Sequence, residues 1–213
     1  MSDTRTANME KRRRRIIAAA HTLLAEGGFD SLNLRDLAAA AEVTVPTIYN
    51  LVGNKTALFE ALVADNFASY EIRLRRQLPC PVLELPALMI STLVDMIAED
   101  EPFYRASHLA SEHLRTTPGD GGERDLKRPT LVRLGRELWQ QAQSQGLVRG
   151  EIDRDTLIAV MINNQQLAMS DWAHQLITLE EMRKRSLQGF YIVLAADAAE
   201  AFRAEIEARL SKL

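Results

Sequence analysis

The spacing of apolar residues is the feature that most constrains the fold of this chain. Along almost all of its 213 residues, apolar side chains return at intervals of three and four, and Gly or Pro marks the joins between these segments. No stretch alternates between apolar and polar residues with the period of two that a half-buried strand requires. Since 46% of the residues are hydrophobic, the helices can bury a substantial core. The pattern therefore predicts an all-α protein.

The periodic segments and their punctuation place the helices. The predicted helices cover residues 9–26, 34–41, 45–51, 54–78, 87–99, 102–114, 129–146, 153–176 and 179–211. Asn33 and Thr44 are the predicted N-caps of the second and third helices, because their short polar side chains can accept hydrogen bonds from exposed backbone N–H groups. The segment TTPGDGGERD, residues 116–125, predicts a mobile surface loop because it holds three glycines.

Several classes of protein are disfavoured by what the sequence lacks. A single cysteine, Cys80, allows neither an internal disulfide framework nor a cluster of thiolate metal ligands. No HExxH spacing, glycine-rich phosphate loop or G-x-S-x-G nucleophile motif occurs, so we expect no metal, no cofactor and no enzyme. No apolar run approaches the roughly 20 residues that span a bilayer. We therefore expect a soluble, cytoplasmic protein with no membrane partner.

The charge is unevenly distributed. Residues 1–55 hold eight Lys and Arg against six acids, although the whole chain has a net charge of −3. Five of these cations form an unbroken run from Lys11 to Arg15 in the first turns of the first helix, where positive charge opposes the helix macrodipole. Contact with phosphates would explain the run, and Arg12 and Arg13 are accordingly predicted to contact DNA. A solvated helix face is the alternative interpretation.

The segment from Leu34 to Leu51 fits the spacing of a helix-turn-helix. Its apolar residues fall at the positions that such a motif buries, which are Leu37, Ala41, Val43, Ile48 and Leu51, and Ala38 supplies a small contact between the helices. The remaining residues lie at the start and outer face of the second helix, where they would reach a major groove. This outward set is Thr44, Val45, Pro46, Thr47, Tyr49 and Asn50. The same spacing also fits an ordinary pair of core helices.

Lys55 strengthens the nucleic-acid interpretation. It lies in the first turn of the fourth helix, where exposed backbone N–H groups and a cation together suit a phosphate.

Residues 13–62 resemble the tetracycline-repressor (TetR) family of bacterial transcription regulators. The pieces that carry the resemblance are Phe29 after a helix ending in glycine, Arg35-Asp36-Leu37-Ala38, Val43, Thr47-Ile48-Tyr49, and Asn54-Lys55 with Ala57-Leu58. The resemblance implies that four residues approach bases: Arg35, Thr44, Val45 and Pro46. It also implies that four residues grip the DNA backbone: Thr47, Tyr49, Asn50 and Lys55.

The sequence departs from the family pattern in three ways. Glu42 stands where the family usually has the glycine of the turn, so a residue that disfavours positive φ must adopt it. Leu51 and Val52 replace the usual polar residue or His and the usual Phe. Val45 and Pro46 leave the recognition helix without a cation of its own, so that base reading relies on Arg35 and on apolar contacts with thymine methyl groups.

The resemblance also implies the organisation and function of the whole chain. Residues 1–56 would form a three-helix DNA-binding domain, helix four at about 54–78 would connect, and residues 57–213 would form a helical ligand-binding and dimerisation domain. The last two helices would build a four-helix bundle with a second subunit, although their apolar faces are also compatible with packing within one subunit. The expected function is that of a repressor that binds a palindromic double-stranded DNA operator as a homodimer and is released by a small-molecule effector.

An effector site needs an apolar cavity with a few polar groups that orient the ligand. The candidates are Phe103, Tyr104, His108, Trp139, Met161, Asn164, Gln165, Met169 and Trp172. Each aromatic residue and Met among them also suits ordinary core packing. The run NNQQ, residues 163–166, is unusual in an apolar helix because buried amides need partners. These amides either bond one another across a dimer interface or face a ligand.

A function from another class stays open at this point. The chain could be a helical interaction protein whose basic first helix lies on acidic membrane surfaces or binds an acidic partner.

Overall fold

The computed structural model describes the backbone of residues 2–116 and 129–213, together with the side chains of residues 6–115 and 130–213. These residues form ten α-helices and no strand. The helices are α1 (Ser2–Gly27), α2 (Leu34–Ala40), α3 (Val45–Leu51), α4 (Lys55–Arg75), α5 (Leu85–Glu99), α6 (Glu101–Thr116), α7 (Pro129–Ser144), α8 (Arg154–Ala173), α9 (Leu179–Ala196) and α10 (Glu200–Leu210). The all-α prediction is confirmed. The predicted loop at 116–125 lies outside the described residues, apart from Thr116 at the end of α6.

The described chain forms two compact units. The first takes in the residues up to Ser69 and the segment from Asp100 to Thr116, and the second takes in Tyr70–Glu99 and the chain from Pro129 onward. The predicted functional domains, residues 1–56 and 57–213, stay a prediction. None of the described helices is long and apolar enough to cross a membrane.

In the first unit, α1 is the central element, and α2, α3 and α6 pack against it. Ile16, Ala20 and Leu24 of α1 are fully buried, and their spacing of four puts them on one helix face. At the start of α6, Tyr104 donates a hydrogen bond to Asn66 Oδ1 of α4 at 2.6 Å. These contacts join α1 and α6 to each other and α6 to α4, and α1 also supports the two helices of the helix-turn-helix, α2 and α3.

In the second unit, α8 and α9 form the main helix pair, with α7 against α8 and with α5 and α10 against α9. Trp172 of α8 is among the largest fully buried side chains. Gly189 of α9 gives room to the side chain of Asn164, because a Cβ at that glycine would come within 1.8 Å of the Asn164 amide nitrogen. The glycine therefore allows α8 and α9 to approach closely within one chain.

The predicted helix at 179–211 is wrong, because α9 ends at Ala196 and α10 begins at Glu200. Asp197, which is fully buried, interrupts it. Its two carboxylate oxygens accept hydrogen bonds from the backbone N–H groups of Gly150 and Glu151, at 2.9 and 3.0 Å. Its carbonyl accepts from Arg149 N at 2.7 Å. These bonds to a distant loop hold the backbone out of the helix.

The first helix also differs from its prediction, since it begins at Ser2 and not at Met9. Residues 2–8 contain neither Gly nor Pro, so nothing in that segment breaks the helix.

Candidate nucleic-acid interface

The inner sides of α2 and α3 anchor the candidate interface. Leu37 and Ala38 of α2, Ala41 at its end and Ile48 of α3 are buried, as the helix-turn-helix spacing predicts. The spacing also predicts burial of Val43 and Leu51, and both are only half-buried because they lie at the turn and at the end of α3. The carbonyl of Ala38 accepts a hydrogen bond from Val43 N at 3.0 Å, which closes the turn. Since these contacts occupy one side of each helix, the other side faces solvent.

Asn33 caps the start of α2, two residues before Arg35. The Asn33 Oδ1 atom accepts hydrogen bonds from Arg35 N at 3.0 Å and Asp36 N at 2.9 Å, which confirms the predicted N-cap. The Arg35 side chain is exposed, and it forms no hydrogen bond or ion pair with another side chain in the part of the chain that the structure describes. Its guanidinium is therefore available to a ligand.

Thr44 occupies the N-cap position of α3 with an extended backbone, but its side chain does not cap the helix. Its hydroxyl oxygen lies 2.9 Å from that of Thr47. Pro46 follows in the first turn, where its missing N–H leaves no helical hydrogen bond unmade. The helix therefore begins with two hydroxyl groups side by side, with Thr44 exposed and Thr47 half-buried.

The outer face of α3 carries a large exposed aromatic residue. Tyr49 is 55% exposed, and Pro46 and Asn50 beside it are also exposed, whereas Val45 is half-buried. A tyrosine usually gains stability by burial. Here its neighbour Ile48 takes the buried position, and the Tyr49 hydroxyl has no hydrogen-bond partner among the residues that the structure describes, so it is available to an external partner.

The turn between α2 and α3 holds a strained residue and a cation. Glu42 has φ 53, the left-handed conformation that the sequence predicts at this position. Arg15 of α1 contacts it twice: Nη1 lies 3.1 Å from Glu42 Oε2, and Nη2 donates to the Glu42 carbonyl at 3.4 Å. This contact also places the end of the basic run beside the turn. Arg12, which is exposed, and Arg13, which is half-buried, lie within one helical turn of Arg15.

Lys55 is held in place at the start of α4. Its ammonium nitrogen lies 4.3 Å from the centroid of the Phe29 ring and 3.9 Å from Asp30 Oδ1. Gly53, with φ 103, makes the sharp connection from α3 that brings Lys55 to this position. The sequence did not predict the contacts of Phe29 and Asp30 with this lysine. Their distance along the chain leaves no local signal for them.

The candidate effector residues are distributed over both units. Phe103, Tyr104 and His108 belong to the first unit, and Trp139, Met161, Asn164, Gln165, Met169 and Trp172 belong to the second. All are buried except Asn164, which is half-buried. Burial suits both core packing and a ligand site, so the effector role of these residues stays a prediction.

Fold and site together define an all-helical protein with an N-terminal helix-turn-helix whose outer face is open to solvent. The family model described as bacterial regulatory proteins, tetR family, matches residues 16–62. That segment runs from the buried Ile16 to α4 and includes the whole helix-turn-helix. The resemblance to the TetR family is therefore confirmed.

Solved structures show the same fold over most of the chain. The fatty acid degradation regulator FadR from Bacillus halodurans has a TM-score of 0.68 and 19% sequence identity, with 86% of this chain and 94% of that chain covered. SmeT, the repressor of the Stenotrophomonas maltophilia multidrug efflux pump SmeDEF, has a TM-score of 0.65 and 18% identity, covering 89% and 92%. A gamma-butyrolactone receptor, an ArpA-like protein, has a TM-score of 0.57 and 20% identity, covering 96% and 98%. No curated protein sequence matches the chain. The chain thus has the fold of a TetR-family transcriptional regulator.

Proposed function

We propose that this protein is a ligand-responsive transcriptional repressor that binds a palindromic DNA operator as a homodimer and is released by a small-molecule effector. The observation that carries the proposal is the orientation of α3. Its inner residue Ile48 is buried, while Pro46, Tyr49 and Asn50 are exposed on the outer face of this short helix. A second helix presented in this way is the element that enters the major groove in helix-turn-helix proteins.

Base reading falls to a small set of residues at the start of the two helices. Arg35 has a guanidinium free of other partners among the described side chains, and an arginine can donate two hydrogen bonds to guanine O6 and N7. Thr44, Val45 and Pro46 offer a hydroxyl and apolar groups, which suit thymine methyl groups.

Backbone contacts fall to residues around them. Thr47, Tyr49 and Asn50 supply neutral hydrogen-bonding groups, and Lys55, Arg12 and Arg13 supply positive charge. Lys55 contacts a fully exposed carboxylate, that of Asp30, at a long distance of 3.9 Å. Exposed ion pairs of this kind contribute little, so a phosphate can replace the carboxylate at low cost.

The homodimer is supported by apolar side chains that remain in water on α8 and α9. Val160 and Leu167 of α8 are 50% and 63% exposed, and Ile192 of α9 is 59% exposed. Val160 and Leu167 are seven residues apart and so lie on one face of α8. A second copy of the chain would cover them, and its two-fold symmetry would require a palindromic operator.

Repression and release by an effector are supported by the proteins that share the fold. SmeT represses a multidrug efflux pump, FadR regulates fatty acid degradation, and the ArpA-like protein is a receptor for gamma-butyrolactone. Regulators with this architecture thus include a repressor and a receptor of a small molecule.

Selection from a random DNA library at two salt concentrations tests the proposal. We expect enrichment of an inverted repeat that persists at the higher salt concentration. Sequence-blind binding that disappears with salt would contradict it and favour the interaction protein with a basic first helix. Vesicles with and without phosphatidylserine serve as the control, because only that alternative predicts strong binding to the anionic vesicles.

A further inference from the structure

The amide of Gln165, on the buried face of α8, has no partner within the described chain. The side chain is 6% exposed, and neither its Nε2 nor its Oε1 atom forms a hydrogen bond in the described residues. The neighbouring Gln166 also has an unpaired buried atom, Oε1, among the described residues, but only in Gln165 are both polar atoms of the amide unpaired. Buried hydroxyl groups of the second unit are paired: Ser186 donates to the Met182 carbonyl at 2.7 Å, and Thr92 donates to the Leu88 carbonyl at 2.8 Å. An unpaired buried amide destabilises the folded state. Its presence in this core therefore calls for a partner from outside the chain.

The position of Gln165 on α8 argues against a partner subunit as that partner. Successive residues of an α-helix are rotated by about 100°. Gln165 is therefore about 140 to 160° away from Val160 and Leu167, which mark the solvent side of α8. A second subunit that covered those apolar residues would meet the opposite side of the helix. Of the two interpretations of the NNQQ run, a ligand is the one that fits Gln165.

The surroundings of Gln165 on α8 are apolar and adaptable. Met161 and Met169 lie four residues before and after it on the same face, and both are buried. Methionine side chains have several rotatable bonds and readily change shape. They can therefore move to admit a ligand next to the amide without displacement of the helix.

The charges of the core restrict the ligand. The buried residues of the second unit include no Lys, Arg or His in the described chain, and the only buried acid, Asp197, is already paired with the Gly150 and Glu151 backbone. A charged ligand group would lose its hydration without gaining a counter-ion, which is strongly unfavourable. An amide, by contrast, both donates and accepts hydrogen bonds.

We infer that Gln165 is the polar anchor of the effector site and selects uncharged ligands that donate and accept hydrogen bonds from an apolar body, such as amides, lactams and alcohols. The inference rests on the proposed function, since it assigns the class of the effector that releases the DNA.

Gln165→Met tests the anchor because it removes both polar atoms and keeps the length of the side chain. The same substitution at Gln143, an exposed residue of α7, is the matched control. Thermal unfolding is measured with the full chain alone and with octanamide, octanol, octanoate or octylammonium. Without a probe, we expect Gln165→Met to unfold at a temperature about 2 to 4 °C higher than the parent protein, since the unpaired amide is gone.

With a neutral probe, we expect the parent protein and Gln143→Met to gain thermal stability and Gln165→Met to lose most of that gain, with binding weakened about tenfold. The two charged probes should give smaller shifts in all three proteins. Equal shifts in the parent and Gln165→Met, larger shifts with a charged probe, or no shift with either neutral probe would overturn the anchor. Loss of folding in both Gln165→Met and Gln165→Leu would also overturn it, because it would mean that the amide is paired within the chain.

DNA selection on the same samples separates this inference from the proposed function. An inverted repeat together with probe binding that ignores Gln165 removes the anchor alone. If probe binding depends on Gln165 but the protein has no DNA sequence preference, the proposed function is refuted and the ligand class is supported.

Discussion

At the scale of single residues, Glu42 has a strained backbone conformation and also forms an ion pair with Arg15. A residue with a Cβ pays about 1 to 2 kcal/mol in the left-handed conformation that Glu42 adopts. Arg15 offsets part of this cost by contacting both the carboxylate and the carbonyl of Glu42. Both side chains are well exposed, at 42% and 81%, so the ion pair is weak and can exchange with an external anion. Glu42 thus competes with phosphates for Arg15.

We expect Glu42→Gly to bind DNA more tightly and with a steeper salt dependence. The substitution removes the competing carboxylate, and the released Arg15 can neutralise about one further phosphate, which changes the slope of log K against log salt by roughly 1. Fluorescence anisotropy with one selected DNA at several salt concentrations measures this. Glu42→Gln separates the effect of charge from that of backbone strain. It removes the negative charge but keeps a Cβ at positive φ, so it should give the same steeper slope while the backbone strain remains. An unchanged slope in both variants would remove Arg15 from the DNA contacts.

Arg35 and Lys55 should show different losses when each is replaced by alanine. Arg35→Ala should relax the preference at one base position and cost about 1 to 3 kcal/mol on the preferred sequence, because a base contact is lost. Lys55→Ala should weaken all sequences alike and lower the salt slope by about 1, because a phosphate contact is lost. Library selection and anisotropy on both variants measure the two effects. An Arg35→Ala protein with unchanged affinity and preference would refute the base-reading role.

At the scale of helices, the sequence predicted the helix-turn-helix almost to the residue. Asn33, Pro46 and Gly53 mark the ends of α2 and α3 by local chemistry, which a single sequence displays directly. The outward orientation of Tyr49 followed from the same spacing. Contacts between distant segments could not be predicted in this way. The ion pair of Arg15 with Glu42 and the placement of Lys55 over Phe29 join residues more than 20 positions apart, and nothing in the local pattern marks them.

The break between α9 and α10 shows the same limit. The sequence LAADAAEAF around Asp197 contains neither Gly nor Pro and keeps a helical period, so it predicts a continuous helix. The chain leaves the helix there because Asp197 bonds to the backbone near Gly150, with Val148 and Ala198 forming a β-bridge beside it.

We expect Asp197→Ala to lower the free energy of unfolding by about 2 to 4 kcal/mol, because the Gly150 and Glu151 N–H groups would lose the acceptor that the buried carboxylate provides. Urea denaturation followed by circular dichroism measures the loss. Asp95→Ala, at an exposed position of α5, is the control and should change stability by less than about 0.5 kcal/mol. A loss no larger than in this control would mean that Asp197 does not hold the break.

At the scale of the whole molecule, the exposed apolar side chains of α8 and α9 are the proposed contact surface of the homodimer. We expect Leu167→Lys to weaken self-association at least tenfold, because a second copy would have to bury an ammonium group without a partner. Sedimentation of both proteins over a range of concentrations measures this. Leu176→Lys is the matched control, since Leu176 is 73% exposed in the connection after α8. A Leu167→Lys protein that stays dimeric would move the interface elsewhere.

The absence of any Lys or Arg from Thr44 to Gly53 has a consequence for how such a regulator finds its operator. Electrostatic attraction to phosphates is the source of sequence-independent binding. Such binding lets a protein slide along DNA, but it also keeps the protein bound to the millions of competing sites of a genome. A recognition helix without cations contributes little to this non-specific binding. Under the proposed function, sequence-independent binding would come from Arg12, Arg13 and Lys55 outside the recognition helix, and the helix itself would add affinity mainly on the operator.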